Sequence, residues 1–210
     1  MVPGSERRCE VDVKDIMSKV VVMADTLKEM LELVEKGFME HKQEYLNSAM
    51  VRERSINEME KSLTGRVLEL SRAAKNDADR RGLVAMEQAV ETLERMGDEA
   101  ASLVERIEMK NAEHLLFSDL GVAQYNETYA TMMKSIEMMC AFLSGKDGDI
   151  KGRVVDNGFR VKSLVERYRA EHMERLVKGV CTPMAANMFF DMLDFTGNIA
   201  RHSSNVVKLF

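Results

Sequence analysis

A-M-E-Q-A-V-E-T-L-E-R-M-G-D-E-A-A-S-L-V-E, residues 85–105, is echoed at residues 185–205 by A-A-N-M-F-F-D-M-L-D-F-T-G-N-I-A-R-H-S-S-N. Ala85, Leu93, Gly97 and Ala100 recur identically as Ala185, Leu193, Gly197 and Ala200. A polar line, Glu87, Glu91, Glu94, Asp98 and Glu105, recurs as Asn187, Asp191, Asp194, Asn198 and Asn205. Steps of 4, 3, 4 and 7 residues keep each line on one helical face. The chain therefore carries a duplicated helix with a row of oxygen-bearing side chains.

Outward from that pair, two apolar seams give the rest of the architecture. Ile16, Val20, Met23, Leu27, Met30, Val34 and Phe38 alternate steps of 4 and 3 up to a final step of 4, and Val122, Tyr125, Tyr129, Met132, Ile136, Met139 and Leu143 alternate throughout. Such a seam requires packed helical partners. It predicts a first helix over about 12–38 and a fourth opened by Ser118 as N-cap, with Asp119 in its first turn. Helices two and five are expected over about 44–75 and 150–178, with a turn near 41–44 after the first helix and a Gly/Asp-rich turn at 145–149 after the fourth. Gly179 is a candidate left-handed cap for helix five, Asp77 opens helix three, and Thr182 with Pro183 opens helix six. The fold class is all-α: two tandem antiparallel three-helix bundles, a repeat at 12–110 and another at 111–210, after a linker or expression remnant at 1–11. Gly97 and Gly197, equivalent and mid-helix, point to close helix approach in both halves.

Composition narrows the function. The 210 residues hold only 2 Pro, no Trp and 18 Met, which favours helix over sheet. A net charge of −5 gives no general attraction toward nucleic acid or anionic lipid. Cys9, Cys140 and Cys181 are odd in number and far apart, against both a disulfide framework and a zinc ribbon, and they suit a reducing compartment. No apolar run reaches the roughly 18 to 20 residues that span a bilayer, so direct membrane insertion is not expected, although a longer parent protein with an upstream membrane segment stays open.

The acidic line is the candidate site. Like charges one helical turn apart cost about 0.2 to 0.5 kcal/mol per pair, so Glu87, Glu91, Glu94 and Asp98 call for strong solvation, a basic neighbour or a cation. A solvated acidic face is the plain alternative. Glu53 and Asn57 on helix two repeat the four-residue step and offer a second wall of oxygens, a set suited to Mg, Ca, Mn or iron. In the second half only Asp191 and Asp194 stay acidic, Asn198 stands for Asp98, and Gly158 and Lys162 replace Glu53 and Asn57. His202 is a candidate nitrogen ligand there. Arg167, Arg169, His172, Arg175 and Lys178 form a basic cluster near the end of helix five, where cations complement the helix dipole. No P-loop, G-x-S-x-G, H-E-x-x-H or dinucleotide fingerprint is present, and no Cys has a His close in sequence.

The segment 93–106, L-E-R-M-G-D-E-A-A-S-L-V-E-R, resembles the signature of the PhoU family, with a degenerate copy in L-D-F-T-G-N-I-A-R-H at 193–202. Met23 and Ala24, Phe117 and Ser118 with Gly121, and R-A-E-H-M-E-R-L at 169–176 followed by Gly179 make the chain look like the cytoplasmic C-terminal domain of bacterial sodium/phosphate cotransporters. That resemblance implies a non-enzymatic regulator of phosphate uptake at the inner face of the membrane. Its partner would be a transporter domain in the same chain or a separate one. It also implies a divalent or ferric ion (Fe, Mg, Mn or Zn) held through E/D-x-x-x-D motifs. The motif carries over fully at Glu94 and Asp98 and in part at Glu53 with Asn57 and at Asp194 with Asn198; Glu91 extends the first set. Homo-oligomerisation stays open. The competing readings are a metal-free structural adaptor and a metal-dependent enzyme, the latter without the Glu-x-x-His pairs of di-iron bundles.

Overall fold

Both apolar seams are buried along nearly their full length, and the remaining helices are arranged around them. The computed structural model of the protein describes residues 4–74, 76–145 and 149–210, with side chains from residue 13 onward in those ranges. It has six helices, α1 Gly4–Glu40, α2 Gln43–Ala73, α3 Asp77–Ala112, α4 Asp119–Leu143, α5 Ile150–Val177 and α6 Pro183–Leu209, and no strand among the described residues. All seven seam residues of α1 are at most 4 % exposed, and of the α4 seam only Val122 is half-buried. The all-α expectation holds.

Helix ends follow local chemistry. The Ser118 side chain accepts from Gly121 N–H at 3.2 Å and Thr182 Oγ1 accepts from Ala185 N–H at 3.2 Å, each satisfying an orphan donor of its helix. Helix α3 opens at Asp77 as expected, and Asn76 before it is the cap, accepting from Asp79 N–H. Gly179 has φ of +70°, and the Val180 and Gly179 N–H groups close back on Arg175 and Leu176. The turn after α1 lacks Gly or Pro because His41 itself takes the left-handed conformation, φ +55°, at a cost of about 1 to 2 kcal/mol. Of the expected 145–149 turn, residues 146–148 lie outside the described residues.

Two boundaries differ from expectation. Helix α1 begins at Gly4 rather than near residue 12, so the backbone of 4–11 is helical and not an irregular linker. Nothing in residues 5–11, S-E-R-R-C-E-V, breaks a helix, and Glu and Arg are strong formers. Residues 1–3 and the Cys9 side chain lie outside the described residues. Helix α2 ends at Ala73, with Ala74 already extended.

Within each half the three helices pack on one another, α1 with α2 and α3, and α4 with α5 and α6. Across the halves α3 lies against α6 and α1 against α4. Helices α1, α3, α6 and α4 thus close a central ring, with α2 flanking the α1/α3 edge and α5 flanking the opposite α4/α6 edge. Their apolar residues form one continuous core. A Cβ added at Gly97 would lie 3.4 Å from Ile56 of α2, and one at Gly197 3.3 Å from Val165 of α5, so both positions lie at the close approach their repetition suggested.

The halves are also joined by a buried hydrogen bond, in which Tyr129 Oη of α4 donates to the Leu31 carbonyl of α1 at 2.8 Å. Tyr129→Phe keeps the ring and removes only this bond, so it should lower unfolding stability by about 1 kcal/mol. Urea denaturation checks this, and an unchanged midpoint would show that the bond contributes nothing to holding the halves together.

Candidate functional site

The four-residue rhythm of α3 sets Glu94 and Asp98 one turn apart, with Glu94 close enough to Glu60 of α2 to feel its charge. Glu94 is half-buried, and its carboxyl is raised above the usual carboxylate range by burial first, then by Asp98 and by Glu60 of α2. Glu60 is a member of the group that the sequence reading missed. Its signal was available, since Glu53, Asn57 and Glu60 continue the 4 and 3 steps of one face. Glu91 is exposed and pairs with Arg95 at 2.5 Å, so it is partly neutralised, and Glu87 is solvated on the surface.

On α2, Asn57 Nδ2 donates to Glu53 Oε1 at 2.5 Å, while Asn57 Oδ1 is shut off from solvent and accepts no hydrogen bond. An orphaned oxygen next to crowded carboxylates is a set that suits a hard cation. As the side chains stand, no three His, Cys, Asp or Glu among the described residues form a group that could hold a metal ion. The residues fit such an ion by chemistry, and ligation requires their side chains to turn inward.

The second half is built differently. Asp194 is engaged by Arg169 of α5, and Asp191 lies 3.0 Å from Arg106 of α3, an ion pair out of line for a hydrogen bond. Asn198 Nδ2 donates to Glu99 of α3 at 3.1 Å, and its Oδ1 accepts from Arg201 at 3.4 Å. Lys162 lies 3.8 Å from Glu166. Guanidinium groups here engage both Asp191 and Asp194, so this donor set does not fit a cation.

His202 does not join the Asp194 stripe. It is 8 % exposed and lines a recess of about 280 Å³ with Arg95, Asp98 and Glu99 of α3. The basic cluster of α5 is also dispersed into separate contacts. Arg167 faces Glu127 and Glu171, Arg169 holds Asp194, and Arg175 donates to Gln124 Oε1 at 2.7 Å. His172 is buried at 2 % exposure, because Val161, Leu164, Tyr168 and His172 form the inward seam of α5. It stacks on Phe189 at 4.2 Å, and its Nε2 lies 3.5 Å from Cys181 Sγ, a proximity hidden by a separation of nine positions in sequence. Arg175 Nη2 stands 2.8 Å from Nδ1. A guanidinium only donates, so Nδ1 accepts and the proton sits on Nε2, facing the sulfur. That tautomer cannot serve as a base for the thiol.

Burial, aided by Arg175, lowers the His172 pKa to about 4, and burial with Arg201 and Arg95 does the same for His202. Both imidazoles are neutral in the fold and take up protons near 6.5 when it opens. Between those values the unfolded state binds more protons, so stability is lost as pH falls below about 6.5. From pH 7 to pH 5 the loss should be roughly 2 kcal/mol per histidine. Glu94, raised, acts in the opposite sense. Urea midpoints across this range should fall for the wild type and fall less for His172→Gln and His202→Gln; a flat wild-type profile would contradict the assignment.

Residues 20–107 match the family profile of the PhoU domain. No curated protein matches the sequence. Among solved structures, the chain is similar to PhoU from Pseudomonas aeruginosa, at 16% identity, 95% coverage of both chains and a TM-score of 0.88. It is also similar to the phosphate transport system regulatory protein PhoU from Streptococcus pneumoniae, at 10% identity, 96% coverage of this chain, 94% of the other and a TM-score of 0.84. Residues 20–107 are thus similar to the PhoU domain, and nearly the whole chain has the fold seen in these two PhoU structures.

Proposed function

We propose that this protein is a non-enzymatic regulatory module of phosphate uptake. It acts by contact with a membrane phosphate transporter at the cytoplasmic face, as the C-terminal part of a sodium/phosphate cotransporter or as a separate chain. The match of residues 20–107 to the PhoU domain carries this reading, and it covers the half that retains the acidic groove. The Streptococcus pneumoniae protein of the same fold is a phosphate transport system regulator. No described helix is long and apolar enough to cross a membrane, so any transport path belongs to another domain or partner.

The control element in this reading is the α2/α3 groove. Glu94, Asp98 and Glu60, with Glu91, Glu53 and Asn57 beside them, would hold a divalent or ferric ion, whose charge relieves the crowding that raises Glu94. Asn57 Oδ1, without a partner, supports this most directly. The ion supplies positive charge and a rigid link between α2 and α3. The α5/α6 groove, compensated by Arg169, would hold none.

Phosphate uptake tests this. In the host bacterium, loss of the chain should change the rate of labelled phosphate uptake in phosphate-replete cells. Glu94→Gln with Asp98→Asn should reproduce the loss, whereas Asp194→Asn should stay close to wild type. Uptake indifferent to removal of the chain would sink the regulatory reading; indifference to the double variant alone would remove the groove from it.

A further inference from the structure

The two grooves occupy equivalent places in the duplicated fold and carry opposite charge. At the matching positions of α2 and α3 stand Glu53, Glu60, Glu94, Asp98, Glu105 and Glu108, with only Arg54 and Lys61 as bases. The positions equivalent to these, and their neighbours, line a cleft of about 500 Å³ between α5 and α6. There the charged residues are Lys162, Arg169, Arg201 and Lys208 against Glu166 and Asp194. Glu108 has become Lys208, Asn57 has become Lys162, and Ala101 has become Arg201. Six acids and two bases in one groove correspond to four bases and two acids in the other.

The two acids of the cleft are already matched, Asp194 by Arg169 and Glu166 by Lys162. Arg201 and Lys208 are left unmatched by an acid of the cleft. Arg201 contacts Asn198 and His202 and acts on the charge of Glu99 of α3, which does not line the cleft, and among the described residues no ion pair is found for Lys208. They lie seven positions apart on α6, two turns along the same face. The α5 wall carries, beside Lys162, Glu166 and Arg169, the apolar Val155, Val165 and the ring of Phe159, which is 65 % exposed.

The floor of the cleft is shaped by Gly158. A Cβ there would stand 2.4 Å from Ser204 Oγ, so α5 and α6 cross at backbone contact. Glycine replaces Glu53 at this position, which removes an acid and opens the space above the crossing. A cleft of this size, with apolar side chains on one wall and a few convergent cations, has the character of a small-ligand site.

We infer that the α5/α6 cleft binds an amphipathic organic anion, its phosphate or carboxylate head on Arg201 and Lys208 and its apolar body against Phe159 and Val155. The inference is independent of any ion in the α2/α3 groove. Duplication would thus have given one groove for cations and one for an anionic ligand.

Titration calorimetry on the full chain tests it with four probes: phenyl phosphate, benzoate, inorganic phosphate and benzyl alcohol. Phenyl phosphate or benzoate should bind at one per chain and more tightly than either inorganic phosphate or benzyl alcohol, and the better of the two identifies the head group. Lys208→Glu should weaken that binding by about tenfold or more through loss of a charge-assisted contact. Phe159→Ser should weaken the aromatic probes and leave inorganic phosphate unchanged. Both side chains are exposed, so melting curves should show both variants folded. Absence of saturable binding by the aromatic anions, or binding indifferent to both variants, would overturn the inference. So would a dimer in sedimentation that Lys208→Glu dissolves, because the cleft would then receive the acidic groove of a second copy.

Discussion

Burial of the α1 and α4 seams is the constraint on which the rest of the structure depends. Ile16 through Phe38 at steps of 4 and 3 leave α1 no stable environment except among other helices, and α4 meets the same demand from the other half. The ring of α1, α3, α6 and α4 meets it for both at once. At about 25 cal/mol per Å² of apolar surface removed from water, no surface ion pair in the protein competes with it. Helices α2 and α5 each pack only within their own half, at opposite edges of the ring. The α2/α3 and α5/α6 grooves are therefore peripheral, and their polar residues are free to diverge without disturbing the core.

They have diverged in charge. In the first half, the carboxylates crowd one another, Glu94 is pushed toward its protonated form, and Asn57 Oδ1 has no donor. In the second half, arginines have taken over. Arg169 reaches Asp194 within the repeat, and Arg106 of α3 reaches Asp191 of α6 across the junction. These pairs are largely exposed, so each contributes little to stability. Their consequence is electrostatic, because they remove the local excess of negative charge that would attract a cation.

The fold was legible because its signals are local and periodic. Seam spacing, the N-caps Ser118 and Thr182 and the left-handed Gly179 all depend on residues within a few positions of one another, and all are found where the periodicity placed them. The start of α1 was not, since a polar helical extension has no apolar face to announce it. The site was legible in part. Glu94 and Asp98 share a face by spacing alone, and Glu60 could have been added by continuing the pattern of α2. The pairing of Asp191 with Arg106 had no such signal, because 85 positions separate the partners. His172 differs for the opposite reason. Its charged neighbours in sequence group it with the cations at the end of α5, whereas its place on the 161, 164, 168 seam turns the ring inward.

Unequal use of two equivalent grooves is the central claim, and anomalous diffraction from crystals soaked in manganese measures it most directly. Manganese is a hard divalent ion that accepts carboxylate and amide oxygens. The account predicts an anomalous peak between α2 and α3, within coordination distance of Glu94, Asp98 or Glu60, and no peak between α5 and α6. A peak beside Asp194, or equal peaks in both grooves, would contradict it.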